Sequence, residues 1–208
     1  MKIPDNIAAE FGVALNEASF LGAEYDARRN IVGLTFSVLT LPDGDSPEPA
    51  DARRQIILTN IGRIAAALRE AFWNDTTAKT IPFSVSELLD VVQSFGGQPV
   101  YGWQFINNDD KTLDQWNRRL SLDIKVESGS QENRIMLFQE GSTVSRHLDL
   151  WIWFEGMFIR DAAGNTIEMA DFAAGGRRWW DALHAGDSRT NGIGTQWNAR
   201  TGCCLWWG

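Results

Sequence analysis

The pattern of residues 146–160, RHLDLWIWFEGMFIR, sorts at a period of two onto two contrasting faces and predicts a central strand. One face carries Leu148, Leu150, Ile152 and Phe154, an unbroken apolar row. The other carries His147, Asp149, Trp151, Trp153 and Glu155, two large rings set between ionisable groups. The first face requires a core. The second requires a covering layer or a ligand.

The rest of the chain is organised around that strand. Ile7, Phe11 and Leu15 recur at helical spacing in residues 1–17, which read as a short helix or an irregular lead-in. Residues 20–26 and 30–41 read as strands joined by Ala27, Arg28 and Arg29. In the second, Val32, Leu34, Phe36 and Val38 share one face. Residues 42–51, PDGDSPEPAD, combine three prolines, a glycine and four acids, and predict a surface loop. Residues 54–59 read as a short strand. In residues 60–75, Ile61, Ile64, Ala65, Leu68 and Phe72 fall at helical spacing behind Asn60 as N-cap, which predicts a helix. The competing reading is one strand through residues 54–68 with Gly62 as a bulge.

Further on, residues 86–95 predict a helix capped by Ser86 and stopped by Gly96 and Gly97. A strand at 100–106, a short helix at 111–120 with Leu113, Trp116 and Leu120 inward, and strands at 121–126, 134–139 and 166–169 complete the middle of the chain. A last helix at 170–184 has Phe172, Gly176, Trp179 and Leu183 as its inward stripe. The tail, residues 187–208, has no period and is expected to dock on the body through Trp197, Leu205, Trp206 and Trp207. Seven or eight strands with three or four helices interspersed, and no regular βαβ alternation, give an α+β fold with a mainly antiparallel sheet. A chain of 208 residues is expected to form a single globular domain, 1–208.

Composition sharpens this picture in three ways. Ten tryptophans are more aromatic surface than one core usually absorbs. A formal net charge of −8, with its only dense basic spots the arginine pairs 28–29, 53–54, 118–119 and 177–178 close to acids, argues against nucleic acid as a partner and suits a basic protein. The cysteines, Cys203 and Cys204, are adjacent, so a normal disulfide between them is geometrically excluded and free thiols in a reducing compartment are expected. Residues 1–11 lack the apolar stretch of a signal peptide, and no run reaches the roughly 18 apolar residues of a membrane span. The expectation is a bacterial-type, cytoplasmic protein with no membrane association.

Signals for catalysis are thin. His147 with Asp149, and His184 with Asp187, have spacing that reaches a common ion, but neither supplies three or four ligands, and HExxH and CxxC are missing. His147 is therefore expected to pair with Asp149 or to bond elsewhere, and no metal or cofactor is expected. GxSxG is missing. A thiol site would have to draw Cys203 or Cys204 to a distant histidine. Residues 175–178, GGRR, lack the phosphate-loop pattern. Asp149 and Glu155 stand about 20 Å apart along a strand, too far for a glycosidase pair.

Trp151 and Trp153 form an aromatic row whose natural cover is the helix carrying Trp179 and Trp180. The leading expectation is a non-enzymatic protein that binds a protein partner, of inhibitor or immunity type against a basic partner. Candidate binding residues are His147, Asp149, Trp151, Trp153, Arg177 and Trp180. The alternative is a small-molecule module or hydrolase built on the His147/Asp149/Trp151/Trp153 face. A deep pocket on that face favours the alternative, and a flat exposed aromatic patch favours the partner.

Overall fold

A computed structural model describes residues 2–71, 75, 77–109, 111–116, 118–142 and 145–190. Cys203, Cys204 and the tail anchors Trp197, Leu205, Trp206 and Trp207 lie outside the described residues, as does Phe72.

Among the described residues, nine strands form two antiparallel sheets, and four α-helices pack around them. The first sheet has the order β1 (Ser19–Asp26), β2 (Ile31–Ser37), β3 (Arg53–Thr59), β8 (Gly156–Asp161), β9 (Thr166–Ile167). The second has the order β5 (Leu122–Lys125), β4 (Arg63–Glu70), β7 (Arg146–Phe154), β6 (Asn133–Glu140). The α+β class is as expected from interspersed strands and helices without βαβ alternation. The central strand is not one strand but two, β7 and β8, which belong to different sheets.

The division has a local cause. β3 runs into β4, and β7 into β8, while β3 pairs with β8 and β4 with β7. The four make one long ladder bent at its middle, the device by which strands pass between sheets at a corner. At the bend Asn60 has φ 52°, which Asn tolerates better than most residues. Asn60 Nδ2 donates to Glu155 Oε2 at 2.5 Å, Glu155 N to Thr59 O at 3.0 Å, and Gly62 N to Trp153 O at 2.9 Å. A Cβ on Gly62 would stand 2.1 Å from Ser130 O, so only glycine fits there.

Where a helix is expected at 60–75, residues Arg63–Glu70 form strand β4. Ile64, Ala66 and Leu68 face the main core, while Ala65 and Ala67 face a second apolar cluster with Trp151 and Trp116. A strand buried on both faces reads as a nearly continuous apolar run, which matches a helical template by accident. The strand expected at 100–106 is also absent. Val100 and Ile106 make only isolated bridges to β6, and Gly102 at φ 148° breaks the extension between them.

One core cluster draws on the inner faces of both sheets, including Leu34, Phe36, Ile56, Leu58, Leu150 and Ile152. Helix α1 (Asp5–Leu15) adds Phe11 and Leu15 to it, and α2 (Leu88–Gln93) adds Leu88 and Val92. The start of α2 differs from expectation: a 3-10 turn, Val85–Glu87, precedes it, and Ser84 rather than Ser86 engages Glu87. Gly96 and Gly97, at φ 67° and 75°, end it as the sequence suggests. Helix α3 (Thr112–Trp116) is shorter than expected but turns Leu113 and Trp116 inward. Helix α4 (Met169–His184) lies against α1, where Gly176 leaves room for Ala14. The acidic loop is held to α4: Trp179 Nε1 donates to Glu48 Oε1 at 2.6 Å, and Arg178 Nη1 stands 2.7 Å from Asp43 Oδ1. No helix among the described residues is long and apolar enough to cross a membrane.

Candidate functional site

The outer face of the second sheet carries the chemistry. Residues directly opposite in a ladder share a face, so the register defines its rows. Arg69, His147 and Glu140 make the first row, and Ala67, Asp149 and Phe138 the second. Ala65, Trp151 and Met136 make the third, and Arg63, Trp153 and Arg134 the fourth. The face thus passes from a buried ionic end, through an aromatic middle, to a partly exposed basic end.

At the ionic end Arg69 Nη1 donates to Asp149 Oδ2, and both side chains are 2% exposed. Trp116 of α3 lies on the guanidinium, whose carbon is 4.1 Å from the ring centroid, and Arg119 approaches the same ring at 4.7 Å. His147 is fully buried; its Nε2 donates to Glu140 Oε1 at 3.2 Å, and its ring stacks on Phe138 at 5.7 Å. Of the two arrangements expected for His147, pairing with Asp149 or bonding elsewhere, the contacts seen here are the second. Each takes a different partner, because the cross-strand and diagonal neighbours Glu140 and Arg69 offer full charges.

Trp151 is fully buried under α3, not under the helix bearing Trp179 and Trp180 as expected. Trp153 is half-buried between Arg63, 5.0 Å from its ring centroid, and Arg134, 6.0 Å away. Four buried polar atoms on this one face have no hydrogen-bond partner among the described residues: Arg69 Nε, His147 Nδ1, Trp151 Nε1 and Arg134 Nε. An unpaired buried polar atom costs about 1–3 kcal/mol. Such atoms are few in folded proteins, so four on one sheet face mark it out.

A cleft of about 430 Å³ opens onto the ionic end. Arg69, Asp149 and Trp116 form its floor. Phe105, Met136 and Phe138 give it an apolar wall, and the polar residues Gln104, Asn108 and Gln115 also line it. Its volume lies in the range of small-molecule sites, roughly 300–1,000 Å³.

The six candidate residues therefore divide among several places. Only Asp149 lines the cleft; His147 and Trp151 are buried beside it, and Trp153 lies at the far end of the face. Arg177 and Trp180 belong to α4. Arg177 pairs with Glu10 at 3.3 Å, and Trp180 sits 5.9 Å from Trp103, its Nε1 donating to Val13 O at 3.2 Å. Residues 101–104 connect the two regions, because Tyr101 and Gln104 line the cleft while Trp103 meets Trp180. Arg69 and Trp116 are site residues that the sequence does not single out: Arg69 lies off the apolar stripe of the segment at 60–75, and no spacing brings it to Asp149.

No group of three or more His, Cys, Asp or Glu able to hold a metal ion occurs among the described residues. Comparison with protein-family models, with curated proteins and with solved structures gave no match.

Proposed function

We propose that the protein acts by binding, not by catalysis, and that it takes a small organic molecule into the Arg69–Asp149 cleft. The observation that carries this reading is a desolvated ion pair at the floor of an open, aromatic-walled cleft. Buried charges are weak stabilisers, and their placement in a concave site points to recognition. This is the small-molecule alternative read from the strand face, with Asp149 retained and Arg69 and Trp116 added. The test is a fragment screen by NMR in which the methionine methyl resonances of the protein are observed. Hits are expected to shift the Met136 methyl resonance and to be lost in Phe138→Trp, which fills the cleft. Hits that leave Met136 unmoved would overturn the reading.

A protein partner is the second reading, favoured by Tyr101 and Trp103, which are 49% and 63% exposed at the cleft rim and beside Trp180. Aromatic side chains of this kind act as interface anchors, and a chain of net charge −8 suits a basic partner, as an inhibitor or immunity protein would meet. A cytoplasmic setting suits both readings and rests on the adjacent Cys203 and Cys204.

A further inference from the structure

We infer that the cleft recognises a planar ring with a lactam or imide edge, the C=O and adjacent N–H of a nucleobase-like ligand. This rests on the cleft being the binding site. The argument is one of complementary charge. A purely anionic ligand reaching Arg69 would meet the Asp149 carboxylate, and a purely cationic one reaching Asp149 would meet the guanidinium. The floor instead offers a donor and an acceptor side by side, with no net charge.

Arg69 has five N–H donors, of which Nη1 is used on Asp149 and Nε is buried without a partner among the described residues. Trp116 covers the face of the guanidinium, so hydrogen bonds must come at its edge. A carboxylate has about four lone-pair positions and can take a ligand N–H beside its existing contacts. A lactam edge satisfies both at once: the ring C=O accepts from Arg69, and the ring N–H donates to Asp149.

The walls agree with the floor. Phe105, Phe138 and Met136 present flat or polarisable apolar surface to a ring, and Gln104, Asn108 and Gln115 suit the polar groups around it. Aromatic stacking supplies attraction without charge. The net charge of −8 disfavours added phosphates, so the ligand class is a base or nucleoside.

The experiment uses the full chain, with uridine and guanosine as probes. Each is compared with its analogue methylated at the ring N–H, and phenylalanine is included as a zwitterionic control. Affinity is read by calorimetry, and location by the Met136 methyl resonance. The expected result is binding of at least one nucleoside with a Met136 shift, weakened about tenfold or more by N-methylation. Asp149→Asn is expected to weaken the parent nucleoside similarly. The analogue comparison is made on the unmodified chain, so it stands even if that variant folds poorly. Equal binding of parent and methylated forms, or binding of phenylalanine alone, overturns the lactam inference and leaves the cleft reading intact. Binding without a Met136 shift overturns the cleft reading itself, and the inference with it.

Discussion

Arg69 and Asp149 illustrate how charge behaves once water is removed. Each buried ion costs several kcal/mol to desolvate, and the pair returns that only with good geometry. Removing one partner leaves the other charged and buried. Asp149→Ala is therefore expected to lower stability by about 3–5 kcal/mol in urea unfolding. The double change Arg69→Met with Asp149→Leu is expected to be near neutral or stabilising. A double variant as unstable as the single one would mean that the pair is structural and not there for a ligand.

Carboxyls elsewhere set the response to acid. Ser84 donates its N–H and hydroxyl to Glu87 and holds that carboxyl below its ordinary value. The Asn165 side chain does the same for Asp161, and Arg53 for Asp51. A carboxyl lowered on folding stabilises the fold above its unfolded value, and that contribution is lost as pH falls through the folded value. Tm is thus expected to fall between about pH 5 and pH 2, and Glu87→Gln to flatten the fall. Glu24, raised by partial burial, works oppositely: charging it costs stability, so Glu24→Gln should gain Tm at neutral pH relative to acid.

Elements were legible where one face alone was buried. The alternation of Val32, Leu34 and Phe36 marked β2, and the glycine stop at Gly96 and Gly97 marked the end of α2. Legibility failed where both faces are covered. β4 packs Ile64 and Leu68 inward and Ala65 and Ala67 outward, which erases the period of two. It failed again at the bend, because Glu155 looked like one more outward polar residue. Only the partner strand, with Asn60 against Glu155, shows that both strands turn there. The bend depends on Gly62, whose added Cβ would meet backbone that has no rotamer to change. Gly62→Ala is expected to cost about 1–3 kcal/mol, measured by thermal unfolding. A cost near zero would mean that the 60–62 and 129–130 backbones slide apart freely.

For the molecule as a whole, the class of fold followed from strand count and the lack of βαβ alternation, but the cleft did not. Its parts come from β4, β6, β7, α3 and residues 101–108, and no spacing in the chain relates them. What joins the two sheets is the shared ladder: β3 with β4, and β7 with β8, carry covalent continuity and hydrogen bonds across the corner. The inner faces of both sheets also feed one core cluster, in which Leu150 and Ile152 are fully buried. If either sheet opens, both lose that shared core, and the second keeps only the small Trp116–Trp151 cluster on its outer face. Leu150→Ala should remove about 2–5 kcal/mol. Because the second sheet cannot melt alone, the loss should appear equally in every probe. Trp116 and Trp151 report on the outer layer of the second sheet, and far-UV circular dichroism reports on both. The two signals are expected to share one midpoint in the wild-type chain and to shift together in Leu150→Ala. An aromatic signal that moves ahead of the backbone signal would show that the corner is a hinge between separately stable sheets.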